Sequence, residues 1–202
     1  MHIELIDLLR CPEPHEETWL VAAFSRMEGR VVHEAKLGCP VCRREYPVRD
    51  GVATFGDGIS PECSAGDATH IAAFLNLSSS GKTVLLAGAL AEHSEAIAAM
   101  AEARVISLNA TKSKHDDHVL EIRTNSRIPL SSSSLDGIAL DKAHSAEELM
   151  REAERVIRPG GRIVYSIIAA PAGGFHELAR DDDFVVAEKV AELTMLQRKA
   201  GR

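Results

Sequence analysis

Val84-Leu85-Leu86-Ala87-Gly88-Ala89-Leu90-Ala91-Glu92 lies at the centre of this sequence's pattern. Residues 84–86 form a short apolar run with Ser78-Ser79-Ser80-Gly81 ahead of it. The run is too short for a helix and reads as a buried parallel strand. Gly88 marks a turn, and residues 91–103, rich in Ala, Glu and Met, read as a helix. Strand, tight turn and helix are the layout in which a nucleotide cofactor meets the first loop of a doubly wound sheet.

Toward the C-terminus the alternation continues. Strands are expected at residues 104–108, 119–122, 137–140 and 162–168. Polar Thr111 to Asp117 reads as a loop or short helix, and Ser131 to Ser134 as a loop. Ser145 with Glu148 three residues on spells a capping box for a helix with Leu149, Ala153 and Val156 inward. Pro159-Gly160-Gly161 ends that helix. Strands separated by helices imply a parallel sheet with right-handed crossovers. Asp141, Lys142 and His144 follow the fourth strand, with His144 expected in solvent ahead of the helix. Asp181-Asp182-Asp183 reads as a solvated charge run. Beyond it, Val186, Val190, Leu193 and Leu196 fit a helical stripe, while residues 184–186 and 193–196 fit two strands.

Upstream, Gly81-Lys82-Thr83 invites a phosphate-loop reading, which fails. The glycine that the motif needs five positions earlier is Asn76, and the tripeptide precedes its strand instead of following one. Residues 58–82 read as a linker rich in turn formers, then a helix capped by Asp67 with Ile71, Phe74, Leu75 and Leu77 apolar.

Residues 1–57 have a different character. Cys11-Pro12-Glu13-Pro14-His15 and Cys39-Pro40-Val41-Cys42 are two ligand-bearing turns, with strands expected between them at residues 18–24 and 30–33. A Cys-x-x-Cys turn lets two thiolates converge on one tetrahedral ion, and a Cys-x-x-x-His turn can supply two more ligands. The candidate zinc ligands are Cys11, His15, Cys39 and Cys42, with His33 or Cys63 as substitutes in the first pair. So small a segment buries little apolar surface and gains from a metal staple. Four protein ligands leave no open position, so the ion would be structural.

The chain has 202 residues, four cysteines and a net charge of −7. The acidic balance argues against a general nucleic-acid or membrane-surface binder. No apolar run approaches the roughly 20 residues of a membrane span. The N-terminal Met-His-Ile-Glu-Leu-Ile-Asp carries acids where a signal peptide has basic residues, so a cytoplasmic location is expected.

Two resemblances extend this reading. Leu8-Leu9-Arg10-Cys11-Pro12, with Gly38-Cys39-Pro40-Val41-Cys42-Arg43-Arg44-Glu45-Tyr46-Pro47-Val48-Arg49-Asp50-Gly51-Val52, resembles the small zinc ribbons that activate tRNA- and protein-modifying methyltransferases. Bacterial members usually have Cys-Pro-x-Cys where this chain has Cys-Pro-Glu-Pro-His. Ile128-Pro129-Leu130, Leu135-Asp136-Gly137-Ile138 and the run from Leu149 through Arg158-Pro159-Gly160-Gly161-Arg162 to Val164 resemble class I S-adenosylmethionine-dependent methyltransferases. The second resemblance implies a C-terminal antiparallel hairpin, which favours strands for the tail.

The same resemblance locates a degenerate cofactor site. Leu86 takes the place of the usual acid, Gly88 survives from a Gly-x-Gly-x-Gly loop, and Leu90 and Glu92 replace its later glycines. Leu90 is expected to add bulk and Glu92 negative charge. Asn109 replaces the acid that grips the ribose hydroxyls, and Thr124 replaces the acid near the adenine.

The expectation is an α/β protein: a zinc ribbon at residues 1–57, a linker and covering helix at 58–82, and a Rossmann-like methyltransferase-type domain at 83–202. It is expected to hold structural zinc, to bind S-adenosylmethionine poorly, and to work as a scaffold or regulatory subunit. Its partner would be a protein, either a methyltransferase or a second copy of itself. Two competing readings are an active methyltransferase with an atypical loop and an RNA-binding module using Arg43, Arg44 and Arg49.

Overall fold

The structure, a computed structural model, describes residues 1–62, 66–111, 119–169 and 173–191. After a 3-10 turn at Ile3–Leu8 come strands β1 (Val21–Glu28), β2 (Val31–Gly38), β3 (Glu45–Arg49) and β4 (Val52–Thr54), then helix α1 (Ala68–Phe74). Strand β5 (Thr83–Ala87) leads through a 3-10 turn at Gly88–His93 into α2 (Ser94–Ala101). Strands β6 (Arg104–Leu108), β7 (Val119–Arg123) and β8 (Leu135–Leu140) follow. Helix α3 (Glu147–Val156), β9 (Ile157–Ser166), β10 (Phe175–Arg180) and β11 (Phe184–Lys189) complete the described chain.

Among the described residues, eleven strands form one mixed sheet, in the order β1-β2-β3-β4-β7-β6-β5-β8-β9-β11-β10. The run β7-β6-β5-β8-β9 is parallel throughout. It has the doubly wound order in which the chain reverses direction at its first strand, so β5 and β8 flank a switch point. Beyond β9 the pairings with β11 and β10 are antiparallel.

Strand β5 is buried at all five positions because both sheet faces are covered. Val84 and Leu86 face the cluster that contains Ile71 and Leu75 of the α1 segment and Ile97 of α2. Leu85 and Ala87 face the opposite cluster, with Leu149 and Val156 of α3 and with Leu5, Ile6 and Leu9. Asp67 caps α1 by accepting the His70 N–H at 2.8 Å.

Several local expectations need correcting. Helix α3 begins at Glu147 with Ala146 at its cap, because the Ser145 hydroxyl donates instead to the Asp141 carbonyl at 2.7 Å. The hairpin at the far edge does form, but β11 pairs with β10, a strand that polar Phe175–Arg180 does not advertise. Asp181 makes its turn by accepting the N–H groups of Asp183 and Phe184. Residues 193–196, expected as the second strand, lie outside the described residues, as does most of the 111–117 loop.

The strands of residues 1–57 continue the same sheet. Strand β4 pairs parallel with β7, Val52 opposite Glu121 and Thr54 opposite Arg123. Phe55 extends the pairing by donating its N–H to the Arg123 carbonyl at 2.8 Å. On the near face, Leu9 bridges to Leu130 and the Arg10 N–H reaches the Pro129 carbonyl at 2.9 Å.

Candidate metal centre and cofactor crevice

Two turns bring Cys11, His15, Cys39 and Cys42 together, with their ligand atoms all within 4.8 Å of one another. The first turn is closed by the Cys11 N–H on the Thr18 carbonyl at 3.0 Å. The second is a knuckle in which Arg43, at φ 62°, donates its N–H to the Cys39 carbonyl at 2.9 Å. His15 Nε2 lies 3.3 Å from Cys11 Sγ and 3.5 Å from Cys39 Sγ, and Cys11 Sγ lies 3.7 Å from Cys42 Sγ. The other imidazole nitrogen, Nδ1, donates to the Glu16 carbonyl at 2.7 Å, so the Nε2 lone pair faces the sulfurs. A metal-bound histidine is oriented in this way.

The electrostatics suit a cation. Burial pushes the Cys39 thiol up, but N–H groups of Cys42 and Val41 and the neighbouring thiols outweigh it, leaving it lowered to about 7. Burial raises Cys11 to about 11, a group that the Tyr46 hydroxyl steadies from 3.5 Å. Three sulfurs and one imidazole nitrogen are a zinc donor set, and the cluster is compatible with a tetrahedral zinc ion. Of the substitutes, His33 stands beside Glu28 at 3.8 Å, while Cys63 lies outside the described residues. Sequence reasoning passed over Tyr46 and Glu13 as supports. Tyr46 donates to Glu13 Oε1 at 3.4 Å, and Arg44 pairs with the same oxygen at 2.9 Å.

The second site lies at the carboxyl ends of β5, β6, β7 and β8. Gly88 turns the chain out of β5 at φ 62°, a conformation that favours glycine. A Cβ there would stand 2.1 Å from Asp141 Oδ2 and 2.7 Å from His144 Nδ1. Asp141 and His144 have no exposed surface (0% each), so the histidine expected in solvent is instead in the core. The Asp141 carboxylate accepts from the Ala89 N–H at 2.9 Å, the Glu62 N–H at 3.1 Å and the His144 N–H at 3.0 Å. It also accepts from His144 Nδ1 at 2.5 Å. Burial pushes this carboxyl up, but the His144 ring and the Ala89 N–H hold it below the usual carboxylate range.

Asn109 and Thr124 join the same network. The Asn109 carboxamide is fixed in orientation, accepting the Thr124 N–H at 3.0 Å and donating to the Thr124 carbonyl at 2.9 Å. Its remaining N–H faces His144 Nε2 at 3.0 Å. Nε2 therefore accepts while Nδ1 donates. Over this network runs the start of the linker. Gly58 lies against Asn109, Glu62 reaches Asp141 through its N–H, and Lys142 pairs with the Glu62 side chain at 3.0 Å. Beside it an open cleft of about 260 Å³ remains, lined by Asp57, Ile59, Asn109, Thr111 and Arg123 among others.

Leu90 and Glu92, expected to obstruct the loop, do not. Leu90 is buried in the cluster on the α1–α2 face, and Glu92 is exposed. What stands against Gly88 is Asp141 and His144. The buried Asp141 carboxylate, the His144 imidazole and the linker backbone at Glu62 occupy the ground beside the Gly88 turn.

No family model matches the sequence, and no curated protein matches it. Solved structures match over part of the chain. A chain from the complex between the Haloferax volcanii Trm112 methyltransferase activator and a candidate methyltransferase is 14% identical, with a TM-score of 0.48. That match covers 61% of this chain and 90% of the other. The Burkholderia thailandensis 1,6-didemethyltoxoflavin-N1-methyltransferase, with 1,6-didemethyltoxoflavin and S-adenosylhomocysteine bound, is 13% identical with a TM-score of 0.46, covering 61% and 76%. The antibiotic-resistance methyltransferase Kmr is 10% identical with a TM-score of 0.43, covering 66% and 98%. These likenesses are partial, each with a TM-score below 0.5. Among the described residues no helix is long and apolar enough to cross a membrane.

Proposed function

We propose that this is a zinc-binding, methyltransferase-like protein that performs no methyl transfer and acts by binding another protein, as a scaffold or regulatory subunit. The observation that carries the reading is the closed network of Gly88, Asp141, His144, Asn109 and Thr124 under the linker. To admit a nucleoside, the chain would have to lift residues 57–62 and strip Asp141 of the Glu62 N–H. Each hydrogen bond to such a charged group contributes about 1.5–3 kcal/mol. A bound methionine carboxylate would then lie near the buried Asp141 carboxylate, a like-charge contact in a low-dielectric site. The zinc would be structural, held by Cys11, His15, Cys39 and Cys42, and would fix the strands that extend the sheet.

The cleft beside Asn109 and Thr111 favours a second reading, an active methyltransferase whose linker moves aside to admit the cofactor. Thermal unfolding of the zinc-loaded protein separates the two. A ligand that binds the native state raises its stability in proportion to the logarithm of its concentration over Kd. Saturating S-adenosylhomocysteine is expected to leave Tm unchanged. A rise of several degrees would replace the first reading with the second.

A further inference from the structure

The sheet has two free edges among the described residues, β1 and β10. A free edge presents unpaired N–H and C=O groups and invites another strand. The two edges differ in charge. On β1, Arg26 is engaged with Asp50 at 3.3 Å and Glu34 at 3.7 Å, and Glu28 stands beside His33.

On β10 the sequence Glu177-Leu178-Ala179-Arg180 is self-complementary. Antiparallel pairing about an axis between Leu178 and Ala179 puts Glu177 opposite Arg180 of the second copy, and Arg180 opposite its Glu177. A register shift between Glu177 and Ala179 against β11 puts Glu177 opposite Ala187 and Arg180 opposite Val185, so the two charges share one face. Within one chain they already pair, Arg180 on Glu177 at 2.7 Å, and both are exposed. Leu178 is 43% exposed on the strand, and Val190 is 54% exposed where its N–H meets the Gly174 carbonyl beside the start of β10.

We propose that β10 is the surface on which two copies of this chain associate, antiparallel strand to strand, joining their sheets into one. Such an interface is isologous, so each charge contact forms twice. The Glu177 and Arg180 side chains then alternate in sign in a ring of four. The proposal rests on the sheet edge and is independent of the cofactor crevice.

Sedimentation velocity of the full-length, zinc-loaded protein, from low micromolar to submillimolar concentration, tests it. A monomer–dimer equilibrium is expected. Arg180→Glu puts four carboxylates together and should weaken the dimer by roughly tenfold or more. Glu177→Arg with Arg180→Glu restores opposite pairs and should restore the dimer. Both positions are exposed, and circular dichroism verifies that each variant is folded. A monomer at every concentration overturns the proposal. So does a dimer that Arg180→Glu leaves unchanged, or one that the double exchange fails to recover.

Discussion

Gly88 and Asp141 stand in close contact at the mouth of β5. Gly88→Ala would place a methyl group 2.1 Å from Asp141 Oδ2 on backbone at φ 62°. The strain and overlap together are expected to cost about 3 kcal/mol or more, measured by chemical denaturation. Asp141→Asn keeps the shape but removes the charge that four donors address, and should cost about 2–4 kcal/mol at neutral pH. Because the Asp141 carboxyl is depressed in the folded state, its contribution is fully present above the unfolded value of about 3.9. It is lost as pH falls through the lower folded value. The stability gap between the wild type and Asp141→Asn should therefore be constant at neutral pH and close in acid. A gap that widened on acidification would contradict the assignment.

At the scale of elements, the metal centre depends on two turns. X-ray absorption on zinc-loaded protein is expected to give three sulfurs at about 2.3 Å and one nitrogen at about 2.0–2.1 Å. His15→Ala and Cys39→Ser should lose the metal, while His33→Ala and Cys63→Ser should keep it. Retention of zinc by His15→Ala would reassign the fourth ligand. The Cys-x-x-Cys knuckle is legible in sequence because its geometry is local, and so are β5 and β6, whose burial leaves apolar runs. Strand β10 is silent because an exposed edge strand needs no apolar face, and β4 because three residues carry no period. His144 was misread for a long-range reason. A polar residue ahead of a helix reads as solvated, and only its contact with Asn109, 35 residues away, and the linker above reveal that it is buried.

Across the whole molecule, the β4–β7 pairing joins residues 1–57 to the parallel strands in one sheet. The two segments should therefore unfold together. Fluorescence of Trp19, which lies in the first segment, and far-UV circular dichroism, dominated by the rest, are expected to give coincident transitions. Chelation of zinc should shift that single transition downward, whereas a separate early transition in Trp19 alone would show two independent units. The same continuity carries residues 56–62 from β4 to the carboxyl ends of β6 and β8, where Gly58 lies against Asn109 and the Glu62 N–H meets Asp141. Whether this segment excludes the cofactor is read by isothermal titration of S-adenosylmethionine into the full-length, zinc-loaded protein. No heat of binding is expected up to millimolar ligand. A saturable isotherm with a micromolar Kd would mean that the crevice opens, and would contradict the account.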